Sequence, residues 1–277
     1  MKNPSPLARD FLEKGMGAVF PVIDMHSHPD RFKAIYFPCV EPEDMAAHLD
    51  RAGVALVCGV THESLFGDMR QGNDAMEKLV RAYPRHFRGY VGINPNFPDL
   101  VANELAAYER RRGFIGFKFL PSYHSYKITG PANVPVFEFA ESRGLVILSH
   151  TWGHDPYNAP EMFADLAERY GNVTWLLGHA GYGDWNTAAR IAADHPNVFL
   201  ELTAAYGVNG VIERFVEIAG SRKVVFGTDW PWFDPNYGVG CVLFAHITDE
   251  DRRNILLENA RGILRRVGVD LEQRDRL

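Results

Sequence analysis

Cysteine is scarce. The three present, Cys39, Cys58 and Cys241, are far apart and never form a CxxC. That excludes a disulfide framework and a structural zinc ribbon, and it suits a reducing compartment, so a cytoplasmic location is expected. A basic excess is also missing. Lys and Arg number 29 against 35 Asp and Glu, a net charge of −6. Neither nucleic acid nor an anionic membrane surface is therefore an expected partner. No apolar run approaches the ~18 residues that suggest a membrane span. The opening from Met1 to Gly17 is polar and charged, unlike a signal peptide. No Gly-x-Gly-x-x-Gly follows the first apolar run, so the usual mark of a dinucleotide fold is absent.

What is present is an eightfold alternation. Short apolar runs occur at Phe20–His28, Val54–His62, Arg88–Pro95, Phe114–Pro121, Leu145–Trp152, Val173–Gly181, Val198–Ala205 and Lys223–Trp232. Each is rich in Val, Ile, Leu and Phe, as strands buried on both faces require. Helical stretches fit between them: Pro42–Arg51, Asp74–Tyr83, Leu100–Arg112, Val136–Arg143, Glu161–Tyr170, Trp185–Asp194 and Val211–Ala219, with a last one from Asp249 to Arg266. Several end at a glycine, the expected left-handed terminator. Helix-to-strand links are tight, whereas strand-to-helix links such as Pro121–Val134 and Thr151–Pro160 are long and carry aromatics. Function in a (β/α)8 barrel collects in the loops after the strands. One (β/α)8 barrel over residues 19–277 is expected, preceded by an arm, residues 1–18. In that arm Ser5 caps a helix opened by Pro6 and ending near Gly15. The arm is expected to cover the barrel floor or to serve a dimer contact.

The first run ends in Asp24-Met25-His26-Ser27-His28. Alternation sends residues two apart to one face, so His26 and His28 point together and offer a pair of zinc ligands. Other strands end in chemistry too. Leu145–Ser149 runs into His150, Trp175–Gly178 into His179, and Val224–Thr228 into Asp229. Barrel geometry gathers such ends at one mouth. Asp24 shares the parity of the pair and is either a steering partner for the ligands or a structural polar residue. Lys118, between two phenylalanines, is expected to face a carboxylate or oxyanion. Aromatic and polar residues in the loops suit a small organic substrate: His62, Glu63, Asn94, Tyr123, His124, Tyr126, Trp152, His154, Trp230 and Trp232. Glu201 and Thr203 share a parity toward the interior, but neither is expected to be catalytic. The Arg110-Arg111-Arg112 run is expected to be a solvated helix end.

These motifs resemble the amidohydrolase superfamily. The resemblance is carried by Asp24-x-His26-x-His28, Ser149-His150, Gly178-His179-Ala180-Gly181, Gly227-Thr228-Asp229-Trp230-Pro231 and the closing Leu257-Glu258-Asn259-Ala260-Arg261. It is strongest toward the amidohydrolase-related branch, which includes aminocarboxymuconate semialdehyde decarboxylase and several lactonases. The resemblance implies that His26, His28, His150 and Asp229 hold one zinc. It implies that Asp229 takes a proton from the metal's water and that His179 polarises a substrate carbonyl or shuttles a proton. In binuclear members a carbamylated lysine at the place of Lys118 bridges two metals; a single ion is expected here. Barrels of this branch are often dimers.

The leading expectation is hydrolysis of an amide, ester or lactone of a small carboxylic acid by metal-activated water. Tyr123, Trp152, Trp230 and Lys118 are expected to contact the substrate. The alternative keeps the same site but decarboxylates an unsaturated or aromatic acid without oxidation, with Lys118, Arg31 or Arg70 clamping the carboxylate. A third reading, an inactive barrel used as a binding module, predicts a missing ligand, and none is missing.

Overall fold

The computed structural model describes residues 5–15 and 20–273. Eight parallel strands follow one another around a single sheet: β1 (Val22–Ser27), β2 (Val54–Gly59), β3 (Phe87–Ile93), β4 (Phe114–Phe119), β5 (Val146–Trp152), β6 (Thr174–Tyr182), β7 (Val198–Glu201) and β8 (Val224–Val225). Each pairs in parallel with the next, with register shifts in the β1–β2, β3–β4 and β5–β6 pairs. The segment after β8 returns to β1. Met25 N donates to Phe226 O at 2.9 Å, Asp229 N to His26 O at 2.8 Å and His28 N to Trp230 O at 2.7 Å. The ring closes into a (β/α)8 barrel.

Helices precede, separate and follow the strands: α1 (Pro6–Lys14), α2 (Pro42–Arg51), α3 (His62–Phe66), α4 (Met69–Ala82), α5 (Pro98–Ala107), α6 (Pro121–His124), α7 (Val134–Glu141), α8 (Met162–Arg169), α9 (Trp185–Asp194), α10 (Val211–Ala219), α11 (Pro235–Phe244), α12 (Asp249–Arg253) and α13 (Asn259–Arg266). The period of two in the apolar runs separates two packed layers. On β5, Val146 and Leu148 join one cluster while Ile147 joins the other. On β6, Leu176 parts from Trp175 and Leu177 in the same way. His150 continues the parity of Val146 and Leu148 to the strand's end. Cys58 is fully buried, and burial pushes its thiol pKa up.

Three segments depart from the alternation read in the sequence. The second run stops at Gly59, because Thr61 turns its hydroxyl to Ser64 N and caps α3, so His62 opens a helix. The eighth run is ladder only over Val224–Val225. Beyond it Phe226 N donates to Ile255 O, and Asp229 takes a left-handed φ of 62°. The loop after Pro231 contains α11, started by Asp234 accepting from Asn236 N with Pro235 at the first helical position. In the arm, Ser5 Oγ accepts from Ala8 N at 3.0 Å. Its helix α1 packs against α11, with Phe11 reaching the core. The remainder of the arm, residues 1–4 and 16–18, lies outside the described residues, as does residue 19. Among the described residues no helix is long and apolar enough to cross a membrane.

Arg111 is not a solvated helix end. It is buried, and its guanidinium meets Glu104 of α5 at 2.8 Å and Asp74 and Glu77 of α4 at 2.9 and 3.2 Å. The planar fork explains the difference, since it pairs several carboxylates at once. Replacing Arg111 by Ala leaves Glu104 buried without its partner. Urea denaturation is expected to show a loss of about 3–5 kcal/mol, and an unchanged midpoint would contradict this role.

Candidate metal centre

The strand ends surround a cavity of about 330 Å³. Its floor holds His26, His28, Lys118, His150, His179 and Asp229, and its walls include Phe32, Phe66, Tyr123, Trp152 and Trp232. His26, His28 and Asp229 offer ligand atoms that all lie within 4.8 Å of one another.

Hydrogen bonds fix which atoms face inward. His26 Nδ1 lies 2.6 Å from Glu201 Oε2, a carboxylate that only accepts, so Nδ1 carries the proton. His28 Nδ1 lies 3.0 Å from the Val60 carbonyl and donates likewise. Each Nε2 is left with a lone pair. These two atoms lie 3.2 and 3.1 Å from Asp229 Oδ1, a buried oxygen with no hydrogen-bond partner among the described residues. Burial pushes both imidazole pKa values down, which keeps the rings neutral. Burial alone would raise the Asp229 pKa, but His26 and His28 hold it well below the usual carboxylate range. Three electron-pair donors therefore converge with no proton between them. That donor set fits a divalent cation, and two imidazoles with a carboxylate suit zinc or manganese.

The surroundings hold this arrangement. Glu201 is fully buried at the end of β7. Its carboxylate also accepts from His179 N at 3.2 Å and from Thr203 N and Oγ1 at 2.7 Å each. Burial works to raise its pKa, yet His26 brings the group below its ordinary value. Gly227 makes room for it, because a Cβ there would sit 2.2 Å from Glu201 Oε1. Asp24 accepts from His26 N and Thr228 N, at 2.9 and 3.2 Å, and from the Thr228 hydroxyl, tying β1 to the chain after β8. Burial pushes its carboxyl up to about 8 against those bonds. Lys118 is also fully buried, and its Nζ lies 2.7 Å from His26 Nε2. Burial pulls its pKa down to about 8, with Asp229 and Glu201 opposing.

His179 and Asp229 share a left-handed backbone, φ 64° and 62°. Such residues are costly unless their surroundings enforce them, and they cluster at working sites. His179 Nδ1 lies 3.3 Å from the Thr203 carbonyl, so it donates there and Nε2 stays free of a proton. Burial takes its pKa down to about 4. His150 lines the cavity, stacked flat on Trp152 at 5.4 Å and edge-on to His179 at 4.5 Å. It stands outside the tight trio. Burial, then His179, pushes its pKa well down.

The loop residues sort clearly. His62, Tyr123, Trp152 and Trp232 line the cavity. Trp230 does not: it is buried and stacked on His48 at 6.0 Å, and Trp232 takes the place expected of it. Glu63, Asn94, His124, Tyr126 and His154 are not in the lining either. His124 bonds the Leu65 carbonyl, and the Tyr126 hydroxyl accepts from Ala132 N. Of the three cations weighed as clamps only Lys118 reaches the cavity. Arg31 pairs with Glu41, and Arg70 lines a separate surface cleft. Sequence reading missed Phe32 and Phe66, and it placed Glu201 toward the interior without assigning it to the site. Glu201 carried a usable signal, a charge closing the apolar run Val198-Phe199-Leu200, as His150 closes its own.

A family model described as amidohydrolase matches residues 67–266, a span that takes in Lys118, His150, His179 and Asp229 and begins after the His26–His28 pair. A gamma-resorcylate decarboxylase from Polaromonas sp. is 22% identical over 71% of this chain and 76% of its own length. A solved 2,6-dihydroxybenzoate decarboxylase from Rhizobium superposes with a TM-score of 0.68 at 14% identity, covering 89% of this chain and 99% of that one. A 5-carboxyvanillate decarboxylase from Novosphingobium aromaticivorans, solved with manganese and a nitrobenzoic acid, gives 0.70 at 13%, covering 89% and 96%. These relatives overturn hydrolysis as the leading expectation. The physical reason is that a His-rich cation site with one carboxylate serves water attack and carboxyl loss alike, so the motifs did not separate the two. With well over half of its length matched, the chain belongs to the amidohydrolase family.

Proposed function

We propose that this protein is a divalent-metal-dependent, non-oxidative decarboxylase of a small aromatic or unsaturated carboxylic acid. One observation carries the reading: an acceptor-only trio, His26, His28 and Asp229, shares an aromatic-walled cavity with a buried ammonium, Lys118. Such a cavity suits a flat ring between its walls and an anionic oxygen at its floor. The decarboxylase names of the relatives support it.

His26, His28 and Asp229 would hold the metal, with His150 beside them as a fourth ligand. Zinc is the expectation from the sequence, and manganese occurs in one neighbour. When bound, a divalent ion supplies Lewis acidity toward substrate oxygens. The reaction's balance sets the remaining roles. The bond from ring or vinyl carbon to the carboxyl group breaks, CO2 leaves, and the carbon keeps the electron pair and gains one proton. Asp229 and His179 line the cavity and are the groups we assign to carry that proton. His179 has Nε2 free for it, because Nδ1–H is committed to Thr203. Lys118, whose Nζ lies 2.7 Å from His26 Nε2, is assigned to hold an anionic oxygen of the substrate beside a single metal. Tyr123 and Trp152 contact the ring.

Protein loaded with manganese or zinc is expected to release CO2 from at least one hydroxybenzoate, 2,6-dihydroxybenzoate first, with one decarboxylated ring per CO2. No CO2 from a panel of hydroxybenzoates and unsaturated acids would overturn the reading. Chelation should abolish the release and added metal restore it. Asp229→Asn is expected to lower turnover about 100-fold or more, measured as CO2 against time. Glu201→Gln removes the anionic partner of His26 and is expected to weaken metal affinity about 10- to 100-fold, measured by competition with a chelating dye.

A further inference from the structure

His62 lines the cavity beside the candidate ligands, so it reads at first as a proton carrier. Its hydrogen bonds exclude that. Its Nε2 lies 2.9 Å from Trp232 Nε1. An indole N–H only donates, so His62 Nε2 must present its lone pair. The ring's proton then sits on Nδ1, which lies 2.6 Å from Asp30 Oδ1 and donates to it. Both nitrogens are committed, and neither is left to exchange a proton with a substrate.

The ring's faces are committed as well. His62 stacks on His28 with centroids 4.7 Å apart and 26° between planes, and on Phe32 at 4.7 Å and 29°. Asp30 is held in turn, accepting from His62 N at 2.9 Å and Glu63 N at 3.2 Å at the start of α3. Asp30 follows β1, His62 follows β2 and Trp232 follows β8. These three strands are neighbours once the barrel closes. A single imidazole therefore joins three loops and backs a candidate ligand.

We infer that His62 is a positioning residue: it locks the loops after β8, β1 and β2 into one wall of the cavity and buttresses the ring of His28. Edge and face then act together on His28, with Val60 fixing its Nδ1 and His62 its plane. Trp232 is set by the same ring, with its indole nitrogen turned toward His62 and its body toward the cavity. The inference rests on the metal-dependent reading only in treating His28 as a ligand.

The test needs no turnover. In zinc-loaded protein with 15N-labelled histidine, long-range 1H–15N spectra are expected to show His62 with its proton on Nδ1. The Trp232 indole N–H is expected to be protected from exchange. A proton on Nε2, on both nitrogens, or a freely exchanging indole would overturn the inference. His62→Phe keeps a ring against His28 and drops both polar ties, whereas His62→Ala drops everything. Zinc affinity is expected to stay within about threefold in the first and to fall about tenfold in the second, while acrylamide quenching of tryptophan rises in both. Equal zinc affinity in the two variants would sink the buttress. The spectra of the unaltered protein decide the question even if the alanine variant does not fold. A failure to release CO2 from any acid would remove the proposed reaction and leave these outcomes untouched.

Discussion

Two imidazole lone pairs and a carboxylate oxygen repel one another, and a cation is what makes their convergence stable. The mouth of this barrel is arranged around that constraint. Glu201 and the Val60 carbonyl each bind an Nδ1–H and so turn the other nitrogen inward. A left-handed backbone at Asp229 aims its side chain where a regular strand would not. Lys118 supplies positive charge within 2.7 Å of His26. Separately each feature has a bland explanation. Together they describe a donor set that a divalent cation would fit.

Keeping so many ionisable groups buried at one barrel mouth is costly, and the structure offsets the cost by local pairing. Asp24, fully buried, is bonded to the Thr228 hydroxyl and two backbone amides, which also close the seam between the first and last strands. Glu201 spends its two oxygens on His26, His179 and Thr203. Satisfied networks of this kind hold side chains in place, and ligand geometry depends on such support.

Much of this was legible in the sequence, for a definite reason. A strand buried on both faces must be apolar, so a histidine or aspartate at its end stands out. His26, His28, His150, His179 and Asp229 were found that way, and Glu201 carried the same mark. Parity failed where the backbone leaves the strand. After Val225 the chain turns, so of the two tryptophans expected at the cavity Trp230 packs on His48 and only Trp232 lines it. Arg111 looked like one of three exposed arginines, because only the tertiary fold brings Glu104, Glu77 and Asp74 around it. The reaction was least legible, since the ligand set is common to hydrolysis and carboxyl loss.

Gly227 has no side chain, and Glu201 occupies the space a methyl group would fill. The two positions are 26 residues apart in sequence yet share one small volume. Alanine at 227 would press on that acid and also on the His26 Cβ, 2.8 Å from the same point, so shortening the acid alone does not make room. The missing methyl group at 227 thus leaves room at once for a candidate ligand and for the acid that orients it.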